Sequence, residues 1–439
     1  MRVLTLSYHF PPVGGAGAQR MIQLARRLPA AGWQPTVITG PGDPDSRWRP
    51  RDESVELDFG AIEVRRLPGP EPPHDVRWEG RLERWLRMPS RWRRWWAATV
   101  VPVAEELGSD ADLVHASLAP YSTAEAALRV ARRLGKPLLL DLEDPWALDE
   151  MMVYPSRLHR LIERRRMRRI LRSADAVVMN TPEARRRLLA AFPELSHERV
   201  FAIPNAYDPL DFDGASSASA PEGRFRIVHT GSLHTEMGLR HRSATRLRRL
   251  VGGTFPGVDF MTRSHIYLLE AVGKALERDS SLRGVVEVHL AGVFTSADRD
   301  AASHPFVHLH EFMPHRETVA LLRSADLLFL PMHELPDGLR ATIVPHKTYE
   351  YLAAGRPILA AVPEGDARDL LEDSGIARIC RPSDVNGMVA SLLAELDQWR
   401  SGSARPQARP EVVDRCSADR LTRDFTSVYG RLAAPSGAG

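Results

Sequence analysis

Lys347 and Glu350 stand three residues apart in the stretch VPHKTYEYLAAGRPILAA, Val344 to Ala361. Pro345 suits a first helical turn, Gly355 the left-handed residue that ends a helix, and Pro357 blocks continuation. The apolar run Ile358 to Val362 then reads as a short buried strand. Residues three apart share a helix face. The start of a helix offers free N–H groups and partial positive charge. A cation and a carboxylate beside such donors suit a phosphorylated ligand that also carries hydroxyl groups. The alternative is an i,i+3 surface ion pair without function.

Two further stretches repeat the phosphate-loop pattern. The loop PPVGGAGAQ joins a strand at Arg2–Ser7 to a helix at about Ala18–Ala31. Gly14, Gly15 and Gly17 there let backbone approach an anion at the helix start. The spacing is not GxGxxG, so a dinucleotide fingerprint is not supported. Gly231 and Ser232 end the strand FRIVHTG in the same manner. Three polar loops follow other strands, at His9, at Ser117–Ser122 and at Glu143–Trp146. In LEDPW the acids are adjacent rather than a D-x-D metal pair. Asp144 is read as a cleft residue or as a turn cap.

These residues need a scaffold, and the apolar pattern supplies one. Strands are expected at Arg2–Ser7, Thr36–Thr39, Glu63–Leu67, Asp112–Ala116, Pro137–Asp141, Ala176–Asn180 and Val200–Pro204. Helices are expected at Ser122–Leu134, Arg157–Arg172 and Pro182–Ala191. Such alternation means a parallel α/β sheet with ligands at the C-terminal strand ends. The Ser-, Ala- and Pro-rich stretch 206–224 reads as a linker. From Phe225 a second α/β domain runs through FRIVHTG, a helix Ser264–Leu276, VVEVHLAG, VHLHEF, a helix His315–Ala325, DLLFLPM and the Lys347 helix. The fold class expected is two doubly wound Rossmann-like domains facing each other across a cleft. Their bounds are 1–205 and 225–410, followed by a C-terminal segment 411–439 that packs back on the first.

The 439 residues suit two domains, and a net charge of +3 makes no case for nucleic acid. Cys380 and Cys416 have no metal or redox spacing, which fits a reducing cytosol. The chain opens on a strand without a signal-peptide pattern, and no apolar run approaches the ~20 residues of a membrane span. A cytoplasmic location is expected, with contact at the inner membrane face as an extension. That extension rests on Arg81–Val103, where Trp85, Trp92, Trp95 and Trp96 lie among six arginines. Basic helices with tryptophan suit a lipid headgroup layer. Packing of the tryptophans into the domain is the alternative. The segment 235–263 reads as an insert that separates a strand from its helix by more than the usual 2–6 residues, helical around Ser243–Val251.

Taken together, PPVGGAGAQR, SLAPYS, DLEDPW, IPNAYD, HTGS, HLAG, EFMPHRETVALLRSADLLFLPM and PHKTYEYLAAGRPILA resemble, in this order, the GT-B glycosyltransferases. Among these the chain resembles the retaining family 4 enzymes of surface polysaccharide and glycolipid assembly, over nearly its whole length. The resemblance implies that the Gly14–Gly15 loop approaches a donor diphosphate, that Glu350 binds the donor ribose, and that Lys347 and Arg263 neutralise the diphosphate. It implies front-side attack with retention, no metal and no other cofactor. Two departures stand out: the first glutamate of the family's E-x7-E motif falls at Thr342, and the family's N-domain histidine falls at Ser117. His115 precedes Ser117 and points into the sheet.

The function expected is transfer of a sugar from a nucleoside-diphosphate sugar to a hydroxyl acceptor, a glycan or lipid-linked glycan. Lys347, Glu350 and Arg263 are the candidate catalytic residues. Gly14, Gly15, Gly231 and Ser232 join Lys347 and Glu350 on the donor, and Ser117, Asp144 and Trp146 lie on the acceptor side. An epimerase or hydrolase of the same fold lacks a convincing acid pair. A non-catalytic donor-binding subunit is motivated by Thr342 and Ser117.

Overall fold

The computed structural model describes residues 1–42, 51–52, 60–70, 80, 82, 85–88, 91–118, 120–213, 223–243 and 251–434. They divide into two compact units. Unit 1 comprises Met1–Asn205, Arg249–Phe255 and Ala418–Gly439, and unit 2 comprises Ala206–Arg248 and Pro256–Ser417.

Unit 1 holds seven parallel strands: β1 (Arg2–Leu6), β2 (Gln34–Thr39), β3 (Glu63–Arg66), β4 (Leu113–Ser117), β5 (Leu138–Leu142), β6 (Ala176–Met179) and β7 (Val200–Ala202). Their order is β3-β2-β1-β4-β5-β6-β7. The strands β4, β5 and β6 are buried along their whole length. This is why they read as largely apolar runs, since helices cover both faces of such a sheet. The last helix, Ala418–Ala433, packs on the helix Ala16–Arg27 and on β4.

Unit 2 repeats the plan with six parallel strands: β8 (Phe225–Thr230), β9 (Val286–Ala291), β10 (Val307–His310), β11 (Leu327–Pro331), β12 (Ile358–Ala361) and β13 (Ala377–Cys380). Their order is β10-β9-β8-β11-β12-β13. Phe225, Ile227, Val286, Val288 and Leu290 alternate into one core with the helices Ile266–Arg278 and Val385–Arg400. In both sheets the winding reverses once, at β1/β4 and at β8/β11, and the C-terminal ends there form the ligand crevice of such folds.

Three expectations change. The excursion after β8 is not a long break: a helix, Thr235–Arg242, starts five residues after Thr230, and a short 3₁₀ turn follows at Phe260–Thr262. Most of the helix expected at Ser243–Val251 lies outside the described residues, as does much of the linker 206–224; a short helix, Pro209–Phe212, occupies its described part. The tryptophan segment forms the helix Arg91–Leu107, whose Trp92 and Trp96 are buried and meet Tyr8 edge-on at 5.3 and 5.0 Å. These two rings belong to the core, because residues four apart on a helix point the same way. Among the described residues no helix is long and apolar enough to cross a membrane.

Candidate functional site

The Lys347 helix runs His346–Ala354, with Pro345 as its N-cap and Gly355 as its left-handed C-cap. Its start and the turn after β8 meet at the β8/β11 end of the unit 2 sheet. Gly231 makes that turn with φ of 95°, and a Cβ there would sit 3.1 Å from Lys347 Nζ. Glycine therefore serves both the conformation and the close approach. The hydroxyl of Tyr351 accepts the Thr230 N–H at 3.0 Å and ties the helix to the end of β8. The His234 N–H donates to the Arg263 carbonyl at 2.9 Å, which brings Arg263 beside the same turn.

Lys347 and Glu350 share the helix but form no ion pair with each other. Lys347 Nζ lies 3.2 Å from His229 Nε2, and His229 Nδ1 lies 2.9 Å from the Phe329 carbonyl. The carbonyl can only accept, so Nδ1 carries the proton and Nε2 offers its lone pair to the ammonium. Burial, then the Lys347 charge, hold His229 well below the usual histidine range. Burial and Arg263 bring Lys347 down to about 7, against a smaller opposing pull from Glu350. A lysine poised there gains its proton fully when an anion arrives.

Glu350 is differently placed. Its Oε1 lies 3.6 Å from His346 Nδ1 and 4.0 Å from His315 Nδ1, and His315 Nε2 is 2.9 Å from Asp211 Oδ2. Burial alone would raise its pKa, but His346, His315 and Lys347 together hold it below the ordinary carboxylate value. It stays ionised and acceptor-only, as hydroxyl recognition requires. His346 Nε2 and the Thr235 hydroxyl are buried without a protein partner. Polar atoms so placed are normally satisfied by ligand or water. Thr342, where a second carboxylate was expected, is fully buried.

In unit 1 the helix Ala16–Arg27 begins after Gly15 (φ 84°), with neither a side-chain cap nor an acid in its first turn. Glu143 Oε2 comes within 3.9 Å of the Cβ position of Gly17. Burial, then Asp144, push Glu143 up to about 8 despite Arg20, so it carries a proton at neutral pH. Asp144 is exposed and Ser117 is buried at the end of β4. Trp146 does not take the expected acceptor-side position. It is 1% exposed, stacks on Tyr121 at 4.8 Å and donates its indole N–H to Glu163 at 3.1 Å. It props the loop that carries Asp144. His115 is buried as expected, 2.7 Å from the Tyr429 hydroxyl.

The structure thus brings Lys347, Arg263, Gly231 and Glu350 into one region of unit 2, and Gly14, Gly15, Ser117 and Asp144 to strand ends of unit 1. Sequence reasoning missed His229, His315, His346 and Asp211, and noted Glu143 only as the start of a polar loop. Only His346, adjacent to Lys347, and Glu143, adjacent to Asp144, had a local signal.

Residues 15–206 match the family model described as glycosyl transferase 4-like domain. Among solved structures, the chain is similar to sucrose-phosphate synthase from Thermosynechococcus elongatus (15% identity, TM-score 0.67), with 99% of each chain covered. It is similar to α,α-trehalose 6-phosphate synthase from Burkholderia multivorans (15% identity, TM-score 0.63), again with 99% of each covered. It is also similar to the Anabaena protein HepE in complex with UDP-glucose (14% identity, TM-score 0.62), over 98% of this chain and all of that one. At these identities the likeness shows the fold, two Rossmann-like domains of GT-B type. No curated protein matches the sequence.

Proposed function

We propose that this chain, a glycosyltransferase of GT-B type with a glycosyl transferase 4-like domain over residues 15–206, moves a sugar from a nucleoside-diphosphate donor to a hydroxyl acceptor with retention. One observation carries the donor assignment: a lysine held near neutrality by burial and Arg263 stands one helical turn from an ionised glutamate, beside the Gly231 turn. As the bond from the sugar C1 to the diphosphate oxygen breaks, its electron pair goes to the diphosphate; the acceptor oxygen bonds C1 on that same face and its proton passes to the departing diphosphate oxygen. Lys347, Arg263 and the N–H groups at the starts of the helices Thr235–Arg242 and His346–Ala354 stabilise that charge. Glu350 accepts hydroxyls of the donor, and no step calls for a metal. The UDP-glucose held by HepE is consistent with this donor class.

On the acceptor side, Ser117 and Asp144 serve a glycan or lipid-linked glycan of a surface polysaccharide or glycolipid. The membrane reading moves from the buried Trp92 and Trp96 to another face. Trp85, Leu86 and Met88 are exposed, as are Leu158 and Leu161 on the helix Arg157–Leu171. Trp85 lies against His159, its carbonyl 3.0 Å from His159 Nε2. Arg165, Arg169 and Arg172 are exposed nearby. Apolar side chains fringed by arginine suit an anionic headgroup layer at the inner membrane face.

The test is a thermal-shift and calorimetric panel of nucleoside diphosphates and their sugars, followed by NMR of the product anomer. Stabilisation by one diphosphate and a product of retained configuration are expected. Absence of any nucleotide binding overturns the donor assignment, and an inverted product overturns retention. Sedimentation with phosphatidylglycerol vesicles tests the membrane face: Trp85→Ala/Leu158→Ser protein should stay in the supernatant.

A further inference from the structure

Away from the donor region, three histidines and a glutamate gather on one face of the unit 2 sheet. Glu287 and His289 alternate with Val286, Val288 and Leu290 on β9, so they point away from the core those residues fill. His308 and His310 are two apart on the neighbouring edge strand β10, and register sets His308 directly beside His289. Strand periodicity and parallel pairing thus put all four side chains on one face.

We propose that Glu287, His289 and His308 bind a divalent transition metal such as zinc. Their donor atoms lie within 4.8 Å of one another. One pair, His289 Nε2 and Glu287 Oε2, is 3.3 Å apart. That separation matches the roughly 3.3 Å edge of a tetrahedron with metal–ligand bonds of about 2.0–2.1 Å. His308 is exposed, so its ring can close the remaining gap and water can take the fourth position. His289 Nδ1 lies 2.9 Å from His310 Nε2, and the three rings stack, with centroids 4.7 Å (His308) and 5.1 Å (His310) from His289. In the tautomer whose Nδ1 donates to His310, the Nε2 lone pair faces the Glu287 carboxylate; in the other tautomer Nε2–H donates to Glu287, and a metal would replace that proton. In the first tautomer a cation between the two acceptors completes the site. His310 is then the outer partner that fixes the tautomer of a ligating histidine.

The surroundings select the metal class. Glu287 Oε1 lies 3.4 Å from Arg224 Nη1, and Arg226 is beside Glu287 in the β8–β9 register. These cations oppose a site that relies on charge, as calcium or magnesium sites do, and leave imidazole lone pairs as the main attraction. The ion would join the edge strand β10 to β9. This site is separate from the sugar-transfer residues and does not rest on the proposed reaction.

The experiment is titration of the untagged, chelator-treated full chain with cobalt(II), followed by its absorption bands, with zinc as competitor. One equivalent should bind with tetrahedral-type bands, zinc should displace it, and magnesium and calcium should not. His308→Ala, at an exposed position the fold does not need, and Glu287→Gln should each weaken binding by about tenfold or more. Zinc should raise the melting temperature of the wild type and not of His308→Ala, since binding to the folded state alone stabilises it. Equal binding by wild type and both variants, or none up to about 1 mM metal, overturns the proposal. In the second case the cluster is a closed hydrogen-bond chain from His310 through His289 to Glu287.

Discussion

Lys347 Nζ is 3.2 Å from a histidine nitrogen, His229 Nε2, whose ring is already committed to the Phe329 carbonyl. The lysine therefore meets a neutral acceptor, and burial, then the positive charge of Arg263, bring its pKa down to about 7. An arriving diphosphate reverses the balance. Calorimetry of nucleoside-diphosphate binding in buffers of different ionisation enthalpy should show uptake of about one proton near pH 8, fading towards about pH 6. Lys347→Met should remove the uptake and weaken binding. Proton-neutral binding at pH 8 by the wild type would count against Lys347 as the diphosphate ligand.

The same shift affects stability without ligand. The folded chain holds fewer protons on Lys347 than the unfolded chain between about 7 and 10.5. Stability from this group therefore rises with pH across that window. Lys347→Met should flatten the rise, read from urea unfolding at several pH values.

Much of the scaffold was legible because buried parallel strands such as Leu138–Leu142 are apolar but for one residue, Asp141, and are bounded by Gly, Pro and polar turns. The helix Thr235–Arg242 was not, because TEMGLRHR has little apolar periodicity and carries Gly238 in its middle. A Cβ on Gly238 would lie 2.6 Å from the Met261 backbone, so this glycine serves close packing rather than a loop. The Lys347–Glu350 pair was visible because both residues sit on one helix. Their partners His229, His315 and Asp211 come from elements distant in sequence, and no local spacing announces them. Trp92 and Trp96 were visible as amphipathic, but which side they faced depended on Tyr8, over eighty residues earlier.

Glu350 tests the hydroxyl-binding role. It is ionised and flanked by His346 and His315 rather than paired with an arginine, so its lone pairs remain available. Glu350→Gln keeps the shape and removes the charge. Hydrogen bonds to charged groups contribute about 1.5–3 kcal/mol, so donor KM should rise roughly ten- to a hundredfold. Ribose-lacking diphosphate analogues should bind wild type and variant alike. Equal loss for both ligand classes would instead indicate a structural role.

Glu143 gives a pH signature in unit 1. Burial and Asp144 raise it to about 8 from 4.5. Between those values the folded state holds more protons than the unfolded one, so stability falls as pH rises through the window. Glu143→Gln, which mimics the protonated acid, should flatten that fall and be more stable than the wild type above about pH 8. An unchanged pH profile would show that the carboxyl is solvated.

Arg20 is the structural keystone beneath the Gly14–Gly15 loop. Its guanidinium binds Asp141 through both oxygens, at 2.8 and 3.1 Å, and donates to Asn205 Oδ1 and to the Ile203 and Pro204 carbonyls. Both charged side chains are 1% exposed. Removing one partner strands the other in the interior, so Arg20→Met and Asp141→Asn should each cost about 3–5 kcal/mol of unfolding free energy. The double variant should recover part of that loss, because no lone buried charge remains. Asp141 is also held below its ordinary pKa: burial opposes this, and Arg20 and His115 outweigh it. Its contribution is present above about pH 4 and is lost as the pH falls further. Urea unfolding of the four species at pH 7 checks the coupling. Strict additivity of the single losses would mean that the two residues stabilise unit 1 independently.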